Sequence, residues 1–306
     1  MIHIVGAGPG AVDLITVRGQ KLLSEADVVI YAGSLVSRDL LGWARQDARI
    51  YDSASMDLEQ VMEVMEQAER DGLTTVRLHT GDPCLYGAIR EQMDGLDARG
   101  IKYDICPGVS SFCGAAAALG MEYTLPGISQ SVVITRMAGR TPVPERESIG
   151  KFAAHGSTMV IFLSAGMTGE LSEELVKGGY PGDTPAAIVY KATWPDEKVV
   201  RCTVATLEET ADREGIHKTA LIVVGNTVAQ TGYERSKLYD PAFTTGFRAG
   251  RESVPGKLEP GTLYVVGMGP GEKKQMTGQA LEVMGRCQVI AGYTVYVDLG
   301  KGIVPP

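Results

Sequence analysis

At 306 residues, 44% hydrophobic and 22% charged, the chain has the size and texture of two compact lobes and is neither disordered nor fibrous. Asp and Glu outnumber Lys and Arg by 37 to 29, a formal net charge of -8, and no polybasic run offers a match to a phosphate backbone, so nucleic acid is not expected as a partner. The longest apolar stretches are strand-sized, no charged leader precedes an apolar core at the N-terminus, and the five cysteines form no CxxC pair or zinc-spaced cluster; a soluble cytoplasmic protein with reduced thiols, no membrane association and no bound metal is expected.

In chain order, strand-like runs recur at Ile2 to Val5, Val28 to Tyr31, Thr75 to His79 and Lys102 to Ile105. Helical stretches lie between them, notably Asp57 to Asp71 and Ala88 to Arg99. This alternation predicts a parallel α/β lobe over residues 1-112. Ser111 to Leu119 is small and alanine-rich, suited to a closely packed helix. Beyond it the texture becomes β-rich, with strands expected at Ser131 to Thr135, Thr158 to Leu163, Ala186 to Tyr190, Lys198 to Thr203 and Ala220 to Val224. Helices at Thr168 to Lys177 and Thr206 to Arg213 complete a second, mixed α/β lobe over 113-248. A polar Gly/Pro-containing stretch at 249-260 reads as a linker. The segment 261-306 then repeats the opening of the chain: LYVVGMGPGEKKQMTGQALEVMGRCQVIAGY from Leu263 parallels HIVGAGPGAVDLITVRGQKLLSEADVVIY from His3. Each copy reads as strand, glycine turn, helix and strand. The second copy is too short for a core of its own, and it is expected to be disordered or to pack on a neighbour.

Gly6-Ala7-Gly8-Pro9-Gly10-Ala11 satisfies the glycine pattern of dinucleotide-binding turns, so a nicotinamide or flavin site has to be weighed. Pro9 stiffens the turn, and no acidic residue ends the second strand, where Tyr31 runs into Ala32-Gly33-Ser34; both count against that reading. A ligand-free turn is equally open on the motif alone. Two further loops follow strands: His79-Thr80-Gly81-Asp82-Pro83 and Pro107-Gly108-Val109-Ser110-Ser111. Loops at the carboxyl ends of adjacent parallel strands converge on one crevice, so these predict a common small-molecule site.

Taken together, GAGPG, ADVVIY, HTGDPCLYG, CPGVSS, PAAIVYKATWPDEKVVRCTV and TALIVVGN resemble the tetrapyrrole (uroporphyrin-III/precorrin) methylases, in the family's order and from residue 1 to about 248. Within that family YAGSLVSRDLL, TRMAGRTPVPE and RSKLYDPAFTTGFR are similar to the precorrin-4 C-11 methyltransferases. The tail resembles the start of precorrin-3B C-17 methyltransferases, as a fusion of two such enzymes would produce.

The resemblance implies a two-lobed α/β fold with the active-site trough between a parallel N-terminal and a mixed C-terminal lobe. It implies S-adenosylmethionine as methyl donor, bound folded and not laid along a Rossmann loop. It implies a precorrin-4 or cobalt-precorrin-4 substrate, and a homodimer. Cofactor contacts are carried over to Pro9, Thr80, Gly81, Asp82, Ser110 and Ser111 in the first lobe and to Leu163, Ala187 and Ala220 in the second. Thr80 stands where relatives often have glycine. Because a sulfonium methyl is already activated, alignment is the main requirement and no catalytic triad is expected. His79, Asp82 and Tyr86 are the candidates for any proton transfer, with packing of His79 and loop-fixing or ribose contact by Asp82 as the alternatives. The substrate's carboxylates call for donors, for which Arg38, Arg90, Arg136, Arg140 and Lys191 are candidates. Tyr31, Met137 and Trp194 are candidates to pack on the macrocycle. Other readings remain open at this stage: a C-17 or C-20 ring methylase, a nicotinamide-dependent reductase, or a non-catalytic tetrapyrrole carrier.

Overall fold

In the computed structural model, which describes residues 1-236, 240, 242-246, 248-250, 261-293 and 297, the first apolar run forms β1 (Ile2–Gly6). A single helical turn at Val12–Leu14 leads to α1 (Val17–Glu25), capped by the Thr16 hydroxyl, which accepts from Gly19 N at 3.1 Å. There follow β2 (Val28–Tyr31), β3 (Arg49–Asp52), α2 (Leu58–Arg70), β4 (Thr75–His79), α3 (Arg90–Ala98), β5 (Tyr103–Cys106) and α4 (Ser111–Leu119). Their sheet is ordered β3-β2-β4-β1-β5 and every pairing is parallel. β2 and β4 are buried along their whole length, as a sheet covered on both faces requires. Period-two alternation sorts their side chains: Val5, Val29, Tyr31, Val76 and Leu78 join Leu23 of α1, while Ile2, Val28 and Ile30 join Val61, Met62 and Met65 of α2 and Leu96 of α3. The Asp57/Gln60 capping box fixes the start of α2.

β3 was not among the expected strands. Arg49 and Ile50 are exposed at a sheet edge, so the segment lacks the buried apolar run that forms β2.

The second unit contains β6 (Val132–Arg136), α5 (Ile149–Ala153), β7 (Thr158–Phe162), α6 (Thr168–Lys177), β8 (Pro185–Tyr190), β9 (Lys198–Thr203), α7 (Leu207–Glu214) and β10 (Ala220–Val224). Its sheet, ordered β6-β7-β10-β8-β9, is mixed: β6 and β7 run parallel and the remaining neighbours antiparallel. Met159, Ile161, Ala186, Ile188, Ile222 and Val224 of one face pack with Leu171 and Leu175 of α6 and Leu207 and Ala211 of α7. A parallel sheet and a mixed sheet are thus present as expected.

Contacts group Met1–Gly114 with Thr193–Pro195 and the described residues from Tyr264 onward, and group Ala115–Ala192 with Asp196–Leu263. The expected linker falls, from 251 to 260, outside the described residues. The second copy reproduces the turn and helix of the first. Lys273–Gln275 makes a helical turn, and α8 (Gly278–Arg286) is capped by Thr277 as α1 is by Thr16. These equivalent threonines form an antiparallel bridge, and Val17 N donates to Met276 O at 2.8 Å. The strand expected at the start of this copy does not form: residues 261-269 hold no strand, and Leu263 and Val265 are exposed. A lone strand without a pairing neighbour leaves its backbone groups to water. Docking therefore rests on Met276, Ala280 and Met284, all buried. Met276→Asp is expected to free the segment. Limited proteolysis should then cleave within 261-290 about tenfold faster, with residues 1-250 resistant as before.

Candidate functional site

β1 lies between β4 and β5, so the three loops that leave the carboxyl ends of these strands are neighbours. Backbone bonds join them directly. Ala7 N donates to His79 O at 2.7 Å, Gly8 N to Gly81 O at 3.2 Å and Gly81 N to Gly8 O at 2.8 Å. Ala11 N donates to the Thr193 hydroxyl at 3.0 Å. Three amides of the glycine turn are therefore held by protein acceptors and Pro9 has none to give. A pyrophosphate cradle needs converging free amides, so the turn does not have the donor set of a dinucleotide loop.

Asp82 ties the second loop to the third: one carboxylate oxygen accepts from Cys84 N at 2.8 Å and the other from Gly108 N at 2.9 Å. The loop-fixing alternative is the observed arrangement. Asp82 also raises the Cys84 thiol to about 11, chiefly through a hydrogen bond, so this cysteine beside the site remains a protonated, unreactive thiol at neutral pH. Gly6, Gly81 and Gly108 meet backbone to backbone: a Cβ on Gly6 would lie 2.6 Å from Gly108 Cα and 2.7 Å from Gly81 O. Thr80 and Ser111 are partly exposed and Ser110 is buried, so Pro9, Thr80, Gly81, Asp82, Ser110 and Ser111 are brought together at one end of the first sheet.

His79 is buried, with Nε2 unpartnered among the described residues. Burial first, and the nearby Arg77 cation second, lower its pKa to about 3. Arg77 is itself lowered to about 10 by burial and donates to Gln92 Oε1 at 3.1 Å and Ile30 O at 3.3 Å. A base with a pKa near 3 has little driving force at neutral pH, which favours the packing alternative for His79. The unfolded chain binds a proton there below about pH 6.5 and the folded chain only near pH 3, so the neutral imidazole's contribution is complete above 6.5 and is lost as pH falls toward 3. Between pH 7 and 4.5 this imidazole should account for about 2-3 kcal/mol of lost stability. Urea unfolding of His79→Gln should lack that part of the acid slope.

Tyr86 is exposed and has a left-handed backbone, φ 54°. Tyr31 is nearly fully buried in the first core, and its hydroxyl donates to Asp52 at 3.2 Å. Asp52, which ends the unexpected β3, also accepts from Gly33 N at 3.1 Å and Ala54 N at 2.9 Å and lies 3.6 Å from Arg38. These bonds, that from Ala54 N foremost, hold its carboxyl below the usual range and shape the Ala32 to Ser37 loop.

In the second unit, Leu163, Ala220, Lys191 and Arg136 share one end of the mixed sheet, and Ala187 lies further in, opposite Val223. Leu163 is 64% exposed with φ 52°, and Lys191 has φ 45°. Strained non-glycine backbone of this kind persists only where its surroundings impose it and concentrates at functional sites.

Not every basic candidate is available to a substrate carboxylate. Arg136 donates to the carbonyls of Met137, Thr141 and Pro142, bracing its own loop. Arg90 is ion-paired with Asp94 and Asp97. Lys191 is 2.6 Å from Asp196 and lies over the Tyr190 ring at 5.3 Å. Arg38 and Arg140 remain exposed, the latter with no ion pair among the described residues. Sequence reasoning missed Thr193, Asp52 and the contact of Gly6 with Gly108. The TWPDEK run was the available signal for Thr193. Trp194 packs on Gly10, and its Nε1 donates to Pro9 O at 3.0 Å.

No group of three or more His, Cys, Asp or Glu among the described residues could hold a metal ion, and no described helix is long and apolar enough to cross a membrane. A family model described as Tetrapyrrole (Corrin/Porphyrin) Methylases matches residues 1–208. The chain is 52% identical over 247 residues to the cobalt-precorrin-4 C(11)-methyltransferase of Methanocaldococcus jannaschii, covering 81% of this chain and 95% of that one. It is 45% identical over 248 residues to the precorrin-4 C(11)-methyltransferase of a Sinorhizobium species, covering 81% and 98%. A crystal structure of a cobalt precorrin-4 methyltransferase, described as a cobalamin biosynthetic enzyme, superposes with a TM-score of 0.73 at 48% identity over 74% of this chain and 95% of that one. The fold also matches uroporphyrin-III C-methyl transferase from Thermus thermophilus, solved with S-adenosyl homocysteine, at a TM-score of 0.64 and 24% identity over 75% of this chain and 99% of that one.

Proposed function

This chain belongs to the tetrapyrrole (corrin/porphyrin) methylases, and from that premise we propose that it methylates C-11 of precorrin-4 or its cobalt complex. It is an S-adenosylmethionine-dependent methyltransferase of the precorrin-4 C-11 type, an activity of cobalamin biosynthesis. The observation that carries the reading is the 52% identity over nearly the whole length of a cobalt-precorrin-4 C(11)-methyltransferase.

The donors at the end of the first sheet suit the cofactor. Thr80, Ser110 and Ser111 offer hydroxyls for ribose and amino-acid groups, and the glycine backbone admits a ligand without obstruction by side chains. S-adenosylmethionine supplies an electrophilic methyl on a positively charged sulfur. The protein's task is to align that group with a nucleophilic ring carbon, for which effective molarities of about 10⁵-10⁸ M have been measured in oriented systems. We assign Pro9, Thr80, Gly81, Ser110 and Ser111 to holding the cofactor, and carry over Leu163, Ala187 and Ala220 as further cofactor contacts. Asp82 holds the loops that carry the first set. Of the groups considered for the proton released after transfer, the exposed Tyr86 is better suited than Asp82, whose two oxygens hold the loops, and than His79, which is neutral and buried. Arg38 and Arg140 are the cations with room for a substrate carboxylate.

We read residues 261-306 as the opening of a second methylase domain, supported by the repeated turn and capped helix. Homodimer formation and residence in the cytoplasm belong to the same proposal; sedimentation tests the first and fractionation of the source cell the second. The decisive experiment supplies S-adenosylmethionine with a labelled methyl and enzymatically made precorrin-4, with and without cobalt, and locates the label by NMR. Label on C-11 is the expected result, and label on another ring position overturns the assignment.

A further inference from the structure

The segment Thr193–Pro195 follows β8 in sequence yet groups with the first unit. Two hydrogen bonds hold it against the glycine turn: Trp194 Nε1 to Pro9 O and Ala11 N to the Thr193 hydroxyl, both at 3.0 Å. The acceptor of one and the donor of the other flank Gly10 on either side. Between them the indole lies so close that a Cβ on Gly10 would fall within its contact surface, 2.9 Å from Cγ and nearer still to Cδ1 and Nε1. Pro9 also packs on Gly114, where a Cβ would come within 2.9 Å of the proline ring and 3.4 Å of Thr193 Cγ2. Thr193 reaches this arrangement at φ 69°, in the left-handed region where a β-branched residue is a genuine outlier. Such strain persists only where surrounding contacts impose it, and the contacts here include the bond to the turn between β1 and α1.

We propose that Thr193 and Trp194 form a clamp that sets the position of Pro9 and Gly10, making Trp194 a positioning residue for S-adenosylmethionine. The inference rests on the reading that this turn borders the cofactor. The clamp fixes the peptide groups flanking Gly10, so the face that Pro9 presents to a ligand depends on the indole behind it. Trp194 acts through Pro9 and Gly10 and not by packing on the macrocycle.

A double-mutant cycle tests this, with S-adenosylmethionine binding measured by calorimetry, KM for precorrin-4 measured separately, and Tm recorded for each protein. Trp194→Ala should weaken cofactor binding about tenfold while KM for precorrin-4 stays within about twofold; Trp194→Phe, which keeps a ring and loses the donor, should weaken it roughly threefold. Gly10→Ala should weaken binding at least tenfold when Trp194 is present and add nothing in the Trp194→Ala background, because the obstructing ring is gone. Multiplicative effects of the two substitutions, or wild-type affinity in Trp194→Ala at unchanged Tm, would overturn the clamp. Should Trp194→Ala not fold, wild-type affinity in Trp194→Phe would overturn it equally. Failure of the wild-type protein to bind S-adenosylmethionine would instead remove the reading on which the clamp rests.

Discussion

Gly108→Ala is expected to abolish methyl transfer and to destabilise the first unit by at least about 3 kcal/mol. The added methyl would enter space held by Gly81 O and would lie 2.8 Å from Gly6 Cα. All of these neighbours are backbone, and each belongs to a strand or loop fixed by the β1 pairing with β4 and β5, so no rotamer change relieves the overlap. Relief requires the glycine loops to separate, which breaks the paired bonds of Gly8 with Gly81 and spreads the groups assigned to the cofactor. Urea unfolding should show the loss of stability, and calorimetry the loss of S-adenosylmethionine binding. Gly42→Ala is the control: a Cβ there meets nothing within 4 Å, and both measurements should match the wild type. Wild-type affinity in Gly108→Ala would mean that the three loops do not form the cofactor's floor.

Asp82→Ala should lower kcat/KM roughly 10²- to 10⁴-fold, from loss of two charge-assisted bonds worth about 1.5-3 kcal/mol each. Without the carboxylate, Cys84 N and Gly108 N lose their acceptors and the second and third loops lose their link. Asp82→Asn should fall between. Its one carbonyl oxygen can keep one of the two bonds, while its NH₂ faces the other N–H, and a loss of about tenfold is expected. A separate readout follows from the thiol: removing the anion should bring Cys84 down from about 11 toward its ordinary value of 9.0, so alkylation by iodoacetamide at pH 9 should accelerate. Activity lost without faster alkylation would place the damage elsewhere than this loop.

The parallel lobe was legible because short strand-like runs alternate with helical periodicity, and in β2 the run is wholly apolar, as a sheet buried on both faces allows. The three glycine loops were legible as a set because each follows a strand of this lobe, β1, β4 or β5. β3 was not: its first two residues, Arg49 and Ile50, are exposed and the other two only half-buried. The second copy misled in one respect: its apolar opening has strand chemistry, yet without a neighbouring strand Leu263 and Val265 remain exposed and unpaired. The basic candidates were chosen by proximity to family-specific segments. Three of them, Arg90, Arg136 and Lys191, use their charge on partners within a few residues along the chain.

The sequence alone therefore determined the class of each lobe, the order of the glycine loops and the family, because apolar period and turn chemistry are local properties of the chain. Only the tertiary structure decided what each polar group in those loops does. Asp82 meets Gly108 because β1 is threaded between β4 and β5, and Trp194 meets Gly10 across more than half the chain. Such pairings depend on strand order and on which backbone groups are left without a ladder partner, quantities that no local pattern encodes.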